Sequence, residues 1–107
     1  MSLFEKELTV NEGINKARTE AGAVLLDVRR KSDYKLGYVR GTVNIPLDRM
    51  DLMEGRFPNK DTHFYVIGSY ADRPQKAKKA MKKLGYRNVT CCGVMEEHHG
   101  ILSKSKK

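Results

Sequence analysis

At 107 residues, with 39% hydrophobic and 32% charged residues, the chain has the size and composition of one globular domain and is too short for two. No apolar run approaches the roughly 20 residues of a membrane-spanning helix, and residues 1–11 lack the apolar stretch of a signal peptide, so no membrane role is expected. The net charge of +8 raises nucleic acid as a partner, but no aromatic residues interleave with the lysines and no zinc-finger or helix-turn-helix spacing is present, so they read as a solvated face and nucleic acid is not the expected partner.

Residues 1–8 read as an N-terminal segment, 9–100 as the folded unit and 101–107 as a basic, unstructured tail. The first helix is expected to start near Thr9 or Asn11, with Asn11 as a possible cap, a weak apolar stripe of Ile14, Ala17 and Ala21, and Gly22 as its stop. Residues 23–28 (Ala-Val-Leu-Leu-Asp-Val) are a continuous apolar run of strand length, as in a parallel strand buried on both faces, with Asp27 near its carboxyl end. Ser32 is placed to cap a short helix that Gly37 stops, and residues 41–46 read as a turn and a short strand ended by Pro46. Asp48 is placed to cap another short helix through Met50, Leu52 and Met53.

His63 to Ile67 is β-branched and aromatic, the pattern of a strand inside a sheet. A polar loop follows, and Pro74 opens a helix with Ala77, Ala80, Met81 and Leu84 on one side and Lys76, Lys78, Lys79, Lys82 and Lys83 outside it. A loop between a parallel strand and a helix aims several backbone N–H groups at one point, which suits a small anionic ligand. Residues 87–92 form the last strand, Gly93 a turn, and residues 94–99 a closing helix. Strands alternating with helices predict an α/β domain with a mostly parallel sheet and helices on both faces. The two cysteines, adjacent at Cys91 and Cys92, form no disulfide framework, and a reducing cytoplasm is the expected compartment.

Residues 25–29 (Leu-Leu-Asp-Val-Arg), the pair Asp33-Tyr34, the run from Gly37 through Gly41 to Asn44-Ile45-Pro46, and Gly85-Tyr86-Arg87-Asn88-Val89 together resemble a rhodanese-like domain over about residues 9–99. The chain departs from that pattern at Tyr38 and Arg40, where histidine and proline are usual. The resemblance implies a three-layer α/β fold and, in active members, a sulfurtransferase. There a cysteine at the first position of a six-residue loop takes sulfane sulfur from a donor such as thiosulfate, backbone N–H groups surround the persulfide, and an arginine usually ends the loop. Counted back from Gly85, the loop is Gly68, Ser69, Tyr70, Ala71, Asp72 and Arg73: the arginine is present, and the nucleophile position holds glycine. No cysteine occurs before Cys91, so that covalent route is closed. The phosphatase relatives of the fold also need a loop cysteine.

The expected function is therefore an inactive sulfurtransferase homologue acting as a binding or regulatory module, its partner a protein or a small anionic ligand at the loop. Asp72 is expected to repel an anion there, and to cap the helix with Gln75. The alternative is a sulfurtransferase using Cys91 or Cys92 as a displaced thiol; free cysteines more often fill core strands. No cofactor is implied. A zinc site from Cys91, Cys92, His98 and His99 is not expected, because adjacent pairs diverge; the histidines read as exposed on a terminal helix. Asp27, Arg29 and Asp33 read as structural, ordering the turns after the first strand. His63 has no acidic partner in its local sequence and reads as satisfied or exposed rather than as a base. Tyr70 reads equally as a binding aromatic or an exposed one.

Overall fold

Thr9 starts the first helix. In the computed structural model, which describes residues 7–104, helix α1 spans Val10–Thr19. The Thr9 hydroxyl accepts from the Glu12 N–H at 3.1 Å, and the Glu12 carboxylate accepts from the Thr9 N–H at 2.9 Å. This reciprocal pair satisfies two N–H groups at the helix start. Asn11 is not the cap: it lies inside the first turn and donates its side-chain amide to the His99 carbonyl at 2.7 Å. The expectations for residues 1–6 and 105–107 lie outside the described residues.

Four strands follow, β1 (Val24–Asp27), β2 (Val43–Asn44), β3 (His63–Gly68) and β4 (Asn88–Val94), all parallel in the order β2-β1-β3-β4. The connections carry α2 (Lys31–Leu36), a 3-10 turn at Leu47–Leu52 running into α3 (Met53–Arg56), and α4 (Pro74–Lys83). Alternation along β3 divides the core. Phe64 and Val66 pack with Met53, Ala77 and Met81 on one face, whereas Tyr65 and Ile67 pack with Val10, Ile14 and Cys92 on the other. The expected α/β architecture, a parallel sheet covered by helices on both faces, is the observed one.

Local expectations differ in three ways. Neither Ser32, Asp48 nor Asp72 caps a helix: the N-cap positions are Arg30, Pro46 and Arg73, none with a side-chain cap bond. Gln75 reaches Glu7 instead. Gly93 is not a turn after β4 but lies within it, at φ +108°, where the pairing with β3 slips: Val66 faces Cys91, yet Gly68 faces Val94. One residue of β3 is thus matched by two of β4, a bulge, and the segment after it is a single 3-10 turn, Met95–Glu97, with His98 and His99 beyond it. The carboxyl-terminal stretch is also held. Ser103 and Tyr38 exchange backbone hydrogen bonds of 2.8 and 2.9 Å, and Leu102 lies over Gly37.

Candidate functional site

The loop of residues 68–73 leaves the carboxyl end of β3 at the centre of the sheet and enters α4. Three of its backbone donors already have partners within the chain. The Ser69 N–H donates to the Asp72 carbonyl at 3.0 Å, and the Asp72 N–H to Ser69 Oγ at 2.9 Å, which folds the loop back on itself. The Tyr70 N–H points at the carboxylate of Glu96, 3.2 Å from each oxygen, and the Tyr70 hydroxyl donates to Glu97 at 2.9 Å. Pro74 contributes no N–H. A carboxylate from the segment after β4 therefore lies where an anionic ligand of the loop would be held.

Gly68 is buried, and a Cβ built on it would stand 2.1 Å from the Asp72 carbonyl oxygen and 2.9 Å from both N and Cδ of Pro74. Those neighbours are backbone and a proline ring, so no side-chain rotation relieves the contact. Asp72 turns its carboxylate toward Arg30: Oδ2 is 3.7 Å from Arg30 Nε and has no hydrogen-bond partner among the described residues. Arg73 is exposed, its guanidinium 5.4 Å from the Tyr70 ring centre, and Tyr70 itself is half exposed.

Behind the loop, Asp27 and Arg29 form a buried pair. Arg29 Nε lies 3.0 Å from each Asp27 oxygen, Nη2 donates to Oδ2 at 2.8 Å, and the Arg29 N–H donates to Oδ1 at 3.0 Å. Nη2 also donates to the Gly37 carbonyl, and Asn44 spans the carbonyls of Asp27 and Arg29. The turn after β1 is thus built around a fixed ion pair of Asp27 and Arg29. Arg29 and Ser69 share a cavity of about 350 Å³ with Asp33, Leu36, Met95, Glu96 and Leu102.

The thiols lie elsewhere. Cys91 and Cys92 are 3% and 0% exposed, and burial pushes their pKa values up to about 11 and about 12, so neither is a thiolate near neutral pH. Among the described residues no three His, Cys, Asp or Glu side chains converge as metal ligands, and no helix is long and apolar enough to cross a membrane. His98 is half buried rather than exposed on a helix. His63 does have an acidic partner: its Nδ1 lies 2.8 Å from Glu20, 43 residues away. Neither that pairing nor the Glu96 contact with Tyr70 leaves a local signal in the sequence, because each joins segments that meet only in the fold.

A parallel α/β sheet with a loop-to-helix junction at its centre defines the class. The chain belongs to the rhodanese-like domain family, whose model matches residues 11–92. The adenylyltransferase and sulfurtransferase uba4 of Ogataea parapolymorpha is 30% identical over 87 residues, which cover 81% of this chain and 22% of that protein. YrkF of Bacillus subtilis is 26% identical over 89 residues, covering 83% of this chain and 43% of that one. The chain thus spans less than half the length of either relative. Among solved structures, Alr3790 from Anabaena sp. superposes with a TM-score of 0.74 at 21% identity, over 88% of this chain and 90% of that one. The rhodanese with anions from E. coli gives 0.68 at 24% identity, over 77% and 98%. Both likenesses show the fold.

Proposed function

We propose that this rhodanese-like domain, residues 9–100, does not transfer sulfur through the loop of residues 68–73 and acts as a binding or regulatory module whose contact surface is that loop. The observation that carries the reading is Gly68: it stands where the family resemblance puts the nucleophilic cysteine, has no side chain to carry sulfur, and sits where a Cβ meets backbone at 2.1 Å. The engagement of the Ser69 and Asp72 N–H groups within the loop, and of the Tyr70 N–H by Glu96, supports it, since those donors would otherwise stabilise a persulfide anion. The exposed Tyr70 ring and Arg73 guanidinium supply the surface for a protein partner, whereas a small anionic ligand has to displace the Glu96 carboxylate from the Tyr70 N–H. Two free cysteines suit a reducing, cytoplasmic setting.

Incubation with thiosulfate and cyanide tests the reading. The expected result is thiocyanate formation no faster than that of a Cys91→Ser/Cys92→Ser double variant. Faster formation by the unmodified chain would overturn it and point to Cys91 or Cys92 as the sulfur carrier, against their burial and raised pKa values.

A further inference from the structure

A second cluster lies at the other end of the sheet. Glu20, next in the chain after α1, brings one carboxylate oxygen to 2.8 Å from His63 Nδ1 and accepts from the Tyr65 hydroxyl on the other at 2.5 Å. His63 Nε2 is 2.7 Å from Thr90 Oγ1 on the neighbouring strand. An ionised carboxylate only accepts, so in the neutral imidazole Nδ1 carries the proton and Nε2 accepts from the Thr90 hydroxyl, the form in which His63 serves as a base. The Tyr65 hydroxyl, followed by His63, lowers the pKa of Glu20 and keeps it ionised. The imidazole also stacks on the Tyr65 ring, centroids 4.2 Å apart, which fixes its plane. Hydroxyl, imidazole and carboxylate thus stand in the order of a nucleophile, its general base and the group that orients the base.

Three segments separated by 27 and 43 residues are brought together for this relay. His63 and Thr90 both line a cavity of about 380 Å³ that Lys16 and Lys78 also line, with Glu7 and Cys91 on its wall. The two ammonium groups favour a substrate that carries negative charge, and a negatively charged oxygen developing on a carbonyl.

We propose that Thr90, His63 and Glu20 form an acyl-transfer site, separate from the loop of residues 68–73, for small esters that carry a carboxylate. Thr90 Oγ1 attacks the ester carbonyl as its proton passes to His63 Nε2. The bond to the leaving alcohol then breaks, and that oxygen takes the proton from the imidazolium. Water, deprotonated by His63, cleaves the acyl-threonine ester in the same way, which releases the carboxylic acid and restores the Thr90 hydroxyl. No oxidant or metal enters the balance. Thr90 and His63 touch the substrate; Glu20 and Tyr65 are positioning residues.

The test uses the full chain and the 4-nitrophenyl monoester of terephthalic acid, whose carboxylate cannot reach its own ester carbonyl, followed by nitrophenol release, by intact mass and by peptide mapping. The expected result is a terephthaloyl adduct on Thr90 and a hydrolysis rate that falls at least about tenfold in Thr90→Val and in His63→Gln, while Thr90→Ser retains both. Glu20→Gln is expected to lower kcat with little change in KM, and to add no further loss in the His63→Gln background, as a residue that acts through His63. Circular dichroism of each variant separates loss of fold from loss of chemistry. An unmodified Thr90 after turnover, or a folded Thr90→Val variant that hydrolyses the ester as fast as the unmodified chain, overturns the proposal. A misfolded variant leaves the adduct on unmodified Thr90 as the deciding observation.

Discussion

Gly68 is hemmed in by the loop it begins. Its missing Cβ is what lets the Asp72 carbonyl fold back onto the Ser69 N–H, so Gly68→Cys is expected to restore no thiocyanate formation and to lower stability by about 3 kcal/mol, the upper range of ordinary overpacking; urea denaturation and the thiosulfate assay check both. Asp27, wholly buried, is the second residue on which the site depends. Asp27→Asn leaves the Arg29 guanidinium buried with its main partner weakened, at an expected cost of about 3–5 kcal/mol in the same measurement. The spacing back from Gly85 marks Gly68 in the sequence, and the Asp-Val-Arg run marks the turn after β1, though not the ion pair that holds it. The collapse of the loop around the glycine is not legible there. It depends on the Asp72 carbonyl, whose position follows from the path of the backbone rather than from any side chain.

Helix α1 is pressed directly onto β4. A Cβ on Gly13 would stand 2.4 Å from Cys92 Sγ and 2.6 Å from Cys92 Cβ, so Gly13→Ala is expected to lower stability by about 1–3 kcal/mol. Truncating its neighbour in Gly13→Ala/Cys92→Ala removes the sulfur at 2.4 Å but leaves the backbone-linked carbon at 2.6 Å, itself too close for a real Cβ contact, so little is recovered; thermal melts of the single and double variants give the comparison. The helix itself is legible, but its cap is Thr9 and not the Asn11 read from the sequence: Thr9 and Glu12 have the three-residue spacing of a capping box, which outranks Asn11 because it serves two N–H groups instead of one. The bulge at Gly93 was not legible, since a glycine near a strand end reads equally as a turn. In the fold it adds one residue to β4 and leads into the turn that delivers Glu96 to Tyr70.

At the scale of the whole molecule, the strands and the parallel order of the sheet follow from apolar runs spaced by helices, whereas the polar links between distant segments appear only on folding. Several of these buried groups hold their protons more tightly than in the unfolded chain. Burial raises the thiols of Cys91 and Cys92 from an ordinary 9.0 to about 11 and about 12, and burial, then Glu20, raises Tyr65 from 10.0 to about 12. The unfolded chain therefore binds fewer protons once the pH passes about 9. The stability these groups contribute is complete below that value, declines through the interval up to about 12, and is gone above it; denaturant midpoints measured from pH 8 to 12 are expected to fall accordingly. The sequence contains five tyrosines and no tryptophan, and Tyr38, which Ser103 joins to the carboxyl-terminal stretch, lies face to face with Tyr34 at 4.4 Å. With no indole to absorb their emission, that stacked couple is an intrinsic optical gauge: release of residues 101–104 is expected to register as a change in tyrosine fluorescence, without any attached dye.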